Sequence, residues 1–205
     1  MQLDDLLRTE RLTLVSRLRE LPEEAWRQPS LCAGWTTHDV LGHLATTFLL
    51  TPGALVSHLV HGRSVAGTID RAAKDVGRRP TSELLATIES HAGSRKRPPG
   101  LPLEAPLTDA IVHGADILWA LGDEEWGREP VDRLRPVLDF LVSPRARVGF
   151  VSGGRLSGLR LVATDQDWSH GHGAEVIGPS LPLAMAILGR SVANAHLHGD
   201  GAASL

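Results

Sequence analysis

Asp109 and His113 place a carboxylate and an imidazole four residues apart in a segment with helical character. Residues at this spacing are offset by about 40° around an α-helix, so both side chains lie on one face. A carboxylate and an imidazole so placed can bind one divalent metal ion. Asp116 falls on the same stripe, where it supports a metal ligand or binds a neighbouring helix. An exposed Asp/His pair without a metal is the simpler alternative.

His43 lies between Leu41 and Leu44, on or beside the apolar face of another helical segment. Taken alone, it is more simply a core histidine that makes a hydrogen bond. Together with the Asp109/His113 pair it would complete a set of three ligands inside a helical bundle. Three protein ligands leave a coordination position open, which is the arrangement of a catalytic metal site.

The composition excludes several classes of function. The 205 residues carry a net charge of −3, only three Phe and no Tyr, which argues against nucleic-acid binding. No apolar run reaches the roughly 18 residues of a membrane span, and the acidic amino-terminal segment is unlike a secretory signal. We therefore expect a cytoplasmic protein, a monomer or weak homodimer, with no nucleic-acid or membrane partner. Ten His are the unusual feature of this composition.

Helices are predicted to position these residues in the first half of the chain. Thr36 is a good N-cap and Asp39 completes a capping box, so the helix that carries His43 begins near residue 35. A further apolar stretch follows at 55–60. Residues 62–80, rich in Gly, Arg and Lys, are predicted to be a mobile loop. Hydrophobic periodicity predicts three more helices, at residues 4–20, 81–91 and 107–121.

The second half of the chain has a mixed character. A helix is predicted at 130–141 and a last helix from Pro179 or Pro182 to about Gly189. Between them, β-like segments lie at 147–151, 156–164 and 173–177. The predicted fold class is therefore α plus α+β, with a four-helix bundle at residues 1–123 and a small α+β domain at 124–205.

Three segments, in order along the chain, resemble one protein family. Residues 31–44 (LCAGWTTHDVLGHL) and 107–117 (LTDAIVHGADI) are similar to the two metal-binding segments of the mycothiol-dependent maleylpyruvate isomerase family. That family belongs to the DinB-like metal-binding bundles. The tail, with LRLVATD at 159–165 and Leu-Gly-Arg at 188–190, resembles its C-terminal α+β domain, which is similar to sterol-carrier folds.

The resemblance implies a site and a chemistry. The family's metal ligands fall on His43, Asp109 and His113, although many members have Glu at the carboxylate position. The implied cofactors are a divalent metal, zinc first and nickel second, and the thiol mycothiol. The implied reaction is isomerisation or S-transfer on a small electrophilic substrate, in a pocket between the two domains. Arg190 matches a Gly-Arg of the C-terminal domain and would hold a substrate carboxylate, the alternative being a surface or fold-stabilising Arg.

For several other residues, both a functional role and a structural role are considered. Cys32 is expected to be a small buried residue and not a nucleophile, because the sequence fixes no His beside it. The basic run at 94–97 is a solvated loop or a contact for the anionic thiol. The pairs His170/His172 and His196/His198 are expected to be turn residues, the alternative being a second metal site. His58 and His61, three residues apart, are candidates for the flank of the bundle pocket.

Two other classes of function remain open from the sequence. One is a non-enzymatic metal-binding or regulatory module that retains the bundle. The other is a carrier of an apolar ligand in the C-terminal domain, lined by Leu181, Leu183 and Ile187. The same three residues are more simply explained as core. Thiol-dependent turnover would distinguish the enzyme from the module, and co-purified lipid would indicate the carrier.

Overall fold

Two units make up the chain, Met1–Glu124 and Glu125–Leu205. The computed structural model describes residues 2–51, 53, 61–62, 64–98, 100–127 and 130–205. None of the helices in these ranges combines the length and the apolar character that crossing a membrane requires. The apolar stretch expected at 55–60 lies outside the described residues.

The N-terminal unit is helical. Its described residues include the helices α1 (Leu3–Leu18), α2 (Thr37–Leu49), α3 (Val65–Val76), α4 (Thr81–Ser90) and α5 (Glu104–Leu118). Helix α1 packs against α4 and α5, and α2 packs against the same two helices. Fully buried leucine and isoleucine side chains fill the space between them, among them Leu7, Leu14, Leu41, Leu84 and Ile111. The four helices expected from the sequence are present, and the contact between α2 and α5 joins the two segments that carry the candidate ligands.

Helix α3 occupies the region expected to be a mobile loop, so that prediction is wrong over Val65–Val76. The Ser64 side chain caps the helix by accepting a hydrogen bond from the Gly67 amide. Its buried face is made of Ala72, Ala73 and Val76, and the helix packs against α2. Ile69, Ala72, Ala73 and Val76 recur at helical spacing, so this helix was predictable, and the prediction of a loop from the Gly, Arg and Lys content overlooked that pattern.

A capping box begins helix α2, as the sequence predicts. The Thr36 hydroxyl accepts from the Asp39 amide at 3.1 Å, and the Asp39 carboxylate accepts from the Thr36 amide at 2.9 Å. Two otherwise unpaired amides of the first turn are thereby satisfied. The cap at Thr36, seven residues before His43, fixes where the helix begins.

The substitution Thr36→Ala tests this cap. We expect it to lower the free energy of unfolding by about 1 kcal/mol, because one amide loses its acceptor and the carboxylate loses a donor. Chemical denaturation of the purified protein measures the change. Thr46→Ala is a suitable control, since Thr46 donates within the same helix to the His43 carbonyl but caps nothing. Equal losses in the two variants would contradict the capping role.

The described residues of the C-terminal unit form a three-stranded sheet and two α-helices. The elements are α6 (Leu134–Leu141), β1 (Leu159–Ala163), β2 (Ser169–Gly171), β3 (Ala174–Gly178) and α7 (Ser180–Ile187). The strands have the order β2-β1-β3, with β1 antiparallel to β2 and parallel to β3. Leu161 at the centre of β1 and Val176 of β3 are buried and paired in register.

Two details of the C-terminal prediction are wrong. The strand expected at 147–151 is absent, since Pro144–Arg147 is a 3-10 turn that begins with a proline and turns follow it. The short strand β2 was not expected, because its exposed residues give no alternation of apolar and polar side chains. In helix α7 the three residues considered for an apolar carrier, Leu181, Leu183 and Ile187, are completely buried, as core residues are.

Candidate metal centre

The three predicted ligands come together inside the N-terminal unit. His43 extends from α2, and Asp109 and His113 from one face of α5. The His43 Nε2 atom lies 3.8 Å from Asp109 Oδ2, and the His113 Nε2 atom lies 3.7 Å from Asp109 Oδ1. The ligand atoms of all three residues lie within 4.8 Å of one another. The carboxylate therefore stands between two imidazoles, with one oxygen towards each.

These distances fit a shared metal ion. Nitrogen and oxygen ligands bind zinc at about 2.0–2.2 Å, so two of them at a tetrahedral angle are about 3.4 Å apart. The observed separations of 3.7 and 3.8 Å differ from this by a few tenths of an ångström and exceed a hydrogen-bond length. The side chains of His43 and His113 are 16% and 13% exposed, and that of Asp109 is 35% exposed. Solvent therefore reaches the carboxylate more readily than the two imidazoles.

The surroundings of Asp109 favour its ionised form. Burial opposes ionisation, but interactions with His43 and His113 outweigh it. The positive charge of Arg11 acts in the same direction. The pKa of Asp109 consequently lies below its usual value, and the carboxylate is available as an anionic ligand at neutral pH.

Arg11 is a residue of this neighbourhood that the sequence reasoning missed. Its side chain is buried on α1, its Nη1 donates to the carbonyls of His91, Ala92 and Ser94, and its guanidinium lies 5.2 Å from the centre of the Phe48 ring. Burial lowers the pKa of Arg11 to about 10, which leaves it charged at neutral pH. A single Arg among leucines carries no sequence signal for such a role.

The second nitrogen of His113 is also engaged. Its Nδ1 lies 2.8 Å from Oδ2 of Asp116, a completely buried carboxylate on the same helix. The Cys32 thiol donates to that same oxygen at 3.0 Å and lies 3.7 Å from His113 Nδ1. Cys32 is thus half-buried, contrary to the expectation of a buried residue, and it lies beside a histidine that the sequence alone does not place there. Only the packing of the loop before α2 against α5 brings these residues together.

An aromatic side chain borders the cluster at His43. The Trp35 ring lies 5.4 Å from the His43 ring, and its indole nitrogen donates to Asp70 of helix α3 at 2.8 Å. Lys74, one turn further along α3, forms an ion pair with the same carboxylate. Hydrogen bonds from Lys74 and Trp35 hold the pKa of Asp70 below its usual value. A hydrogen bond therefore connects helix α3 to Trp35, the residue that packs against His43.

The other candidates are Arg190, the remaining His and the basic run. Arg190 lies in the C-terminal unit, half-buried, with Nη1 donating to the Leu188 carbonyl. Among the described residues, neither of the two groups of metal-ligating side chains includes His170, His172, His196 or His198, so the second site considered there does not form. His58 lies outside the described residues. In the basic run, Arg95 pairs with Asp4 and Arg97 donates to the Leu101 carbonyl.

Comparison with known proteins supplies a family. No curated protein and no solved structure matches the chain significantly. A family model, described as the mycothiol maleylpyruvate isomerase N-terminal domain, matches residues 7–148. This match covers more than two thirds of the chain and contains the whole cluster around His113, whereas Arg190 and the three-stranded sheet lie beyond it. The chain therefore belongs to the family of the mycothiol maleylpyruvate isomerase N-terminal domain.

Proposed function

We propose that His43, Asp109 and His113 bind one divalent metal ion, and that the protein uses it with mycothiol to transform a small electrophilic substrate. The observation that carries the proposal is the convergence of two imidazole nitrogens and a carboxylate from two helices within 4.8 Å. Zinc is the first candidate and nickel the second, in the order that the family resemblance implies. Both metals accept imidazole and carboxylate ligands.

The donor set determines what such a site binds next. Two neutral imidazoles and one carboxylate leave a divalent ion with a net positive charge, which favours an anionic sulfur as a further ligand. A bound metal would supply a lowered thiol pKa, so that thiolate is present at neutral pH. The chain's own contribution is to hold the three ligands on α2 and α5 and to keep Asp109 ionised. Arg11 adds positive charge to the same neighbourhood.

The finer assignments rest on the family resemblance. We propose that the N-terminal unit is a DinB-like four-helix bundle and that the C-terminal unit is sterol-carrier-like. We also propose that Arg190 binds a carboxylate of the substrate through its guanidinium fork. Isomerisation and S-transfer are the two reactions that a thiolate adding to an electrophilic carbon would support.

Replacing Arg190 by Lys keeps the charge but removes the planar guanidinium fork. This variant is expected to raise KM for a carboxylate substrate.

Two measurements on the full chain test the proposal. The first is the metal content of tag-free protein after reconstitution with Zn²⁺ or Ni²⁺, where we expect about one equivalent. The second is consumption of an electrophile by the loaded protein with and without mycothiol. Metal binding with no thiol-dependent turnover would favour the non-enzymatic module. Failure to bind either metal would overturn the site itself.

A further inference from the structure

We infer that Asp116, together with Cys32, is a positioning residue that selects the tautomer of His113 and aims its Nε2 atom at the metal centre. The consequence for metal affinity rests on the proposed function, whereas the tautomer is a property of the metal-free protein. The inference is carried by three contacts of Asp116: with His113 Nδ1, with the Cys32 thiol and with the Leu31 amide.

The first step concerns the proton on His113. An ionised carboxylate only accepts hydrogen bonds, so the 2.8 Å contact with Asp116 requires the proton to be on Nδ1. The neutral ring then has its lone pair on Nε2, the atom that faces Asp109 at 3.7 Å. A neutral imidazole in water prefers the other tautomer, with the proton on Nε2. Without Asp116, the ring would therefore present an N–H instead of a lone pair to the metal centre.

The second step concerns what holds Asp116 in place. Its side chain is completely buried, and a buried carboxylate is stable only when hydrogen bonds compensate for lost hydration. Two donors, the His113 ring and the Cys32 thiol, converge on the same oxygen. The Asp116 carbonyl also accepts from the Leu31 amide at 3.0 Å. Hydrogen bonds from Cys32 and Leu31 to Asp116 thereby connect the loop before α2 to helix α5 next to His113.

Cys32, His113 and Asp116 could also be considered as metal ligands themselves, since their ligand atoms lie close together. The distances decide against this. The contacts of Oδ2 with the ring nitrogen and the thiol, 2.8 and 3.0 Å, are hydrogen-bond lengths. Ligands of a tetrahedral zinc ion stay about 3.4 Å or more apart. The group is a hydrogen-bonded support behind His113.

The test uses the metal-free protein first. At pH 8, nitrogen NMR of the His113 ring, assigned by comparison with His113→Gln, distinguishes protonated from bare Nδ1. We expect protonated Nδ1 in the wild-type protein and a shift to protonated Nε2 in Asp116→Ala. Wild-type protein with the proton on Nε2 would overturn the inference, whatever the metal binding proves to be. This measurement needs no folded variant of Asp116, and it is independent of the proposed function.

Metal affinity provides the second measurement. Asp116→Ala is expected to weaken Zn²⁺ binding about 10- to 100-fold, the range for residues that support a metal ligand. Asp116→Asn, whose amide oxygen still accepts from Nδ1, should recover part of the loss, and Cys32→Ala should show a smaller loss. The control is Thr108→Val, which replaces another buried polar residue of α5 that donates to the Glu104 carbonyl. A loss in Asp116→Ala no larger than in this control would contradict the positioning role.

Discussion

Replacing His113 by alanine is expected to weaken binding of Zn²⁺ or Ni²⁺ by more than about 100-fold, beyond the range for losing a merely supporting residue. Both ring nitrogens of His113 are used in the site, because Nε2 faces Asp109 and Nδ1 is in hydrogen-bond contact with Asp116. Its loss leaves His43 and Asp109 as a pair, too few for a stable site. Isothermal titration of the metal-free protein, with elemental analysis of the loaded protein, measures the effect. His43→Ala should lose binding similarly.

The matched control for His113→Ala is His170→Ala. His170 is exposed on β2 of the C-terminal unit, so its removal tests whether any histidine contributes to metal content. Circular dichroism should show that both variants keep their helices, since His113 is not fully buried and leucines fill the core. Full metal content in His113→Ala would place the metal elsewhere and overturn the site.

The second large effect is expected at Gly42, next to His43. A Cβ atom built on Gly42 would lie 2.7 Å from the Ala73 carbonyl and 2.8 Å from the Gly77 Cα. Both neighbours are backbone atoms of α3 or its end, so helices α2 and α3 would have to move apart. We expect Gly42→Val to lower the free energy of unfolding by about 1–3 kcal/mol. Denaturant unfolding measures this loss. Metal affinity should also fall because His43 moves with α2.

Gly153→Val is the control for Gly42→Val. A Cβ atom on Gly153 meets nothing within 4 Å, and its backbone conformation is open to other residues. This variant is expected to retain the stability and the metal affinity of the wild-type protein. If Gly42→Val were as stable as Gly153→Val, the close approach of α2 and α3 would not be a feature of the folded protein.

Local features of the structure were predictable from the sequence. The capping box of Thr36 and Asp39 forms as predicted, because its partners are three residues apart and the contact depends only on the start of the helix. The common face of Asp109 and His113 follows from helical geometry in the same way. His43 was considered as a third ligand on a second predicted helix, and the resemblance to a family matched it to a metal ligand, since no spacing relates residues so far apart in the chain.

The tertiary structure decided what surrounds these residues. Packing of the loop before α2 against α5 brings Cys32 to Asp116, and burial on α1 brings the charge of Arg11 near Asp109. Helix α3, in contrast, was predictable from its sequence, because Ile69, Ala72, Ala73 and Val76 recur at helical spacing, although the Gly, Arg and Lys content of the segment suggests a loop. Interactions within one helical turn are determined by the local sequence. The environment of the metal centre depends on which faces of distant helices pack together, and only the folded chain determines that.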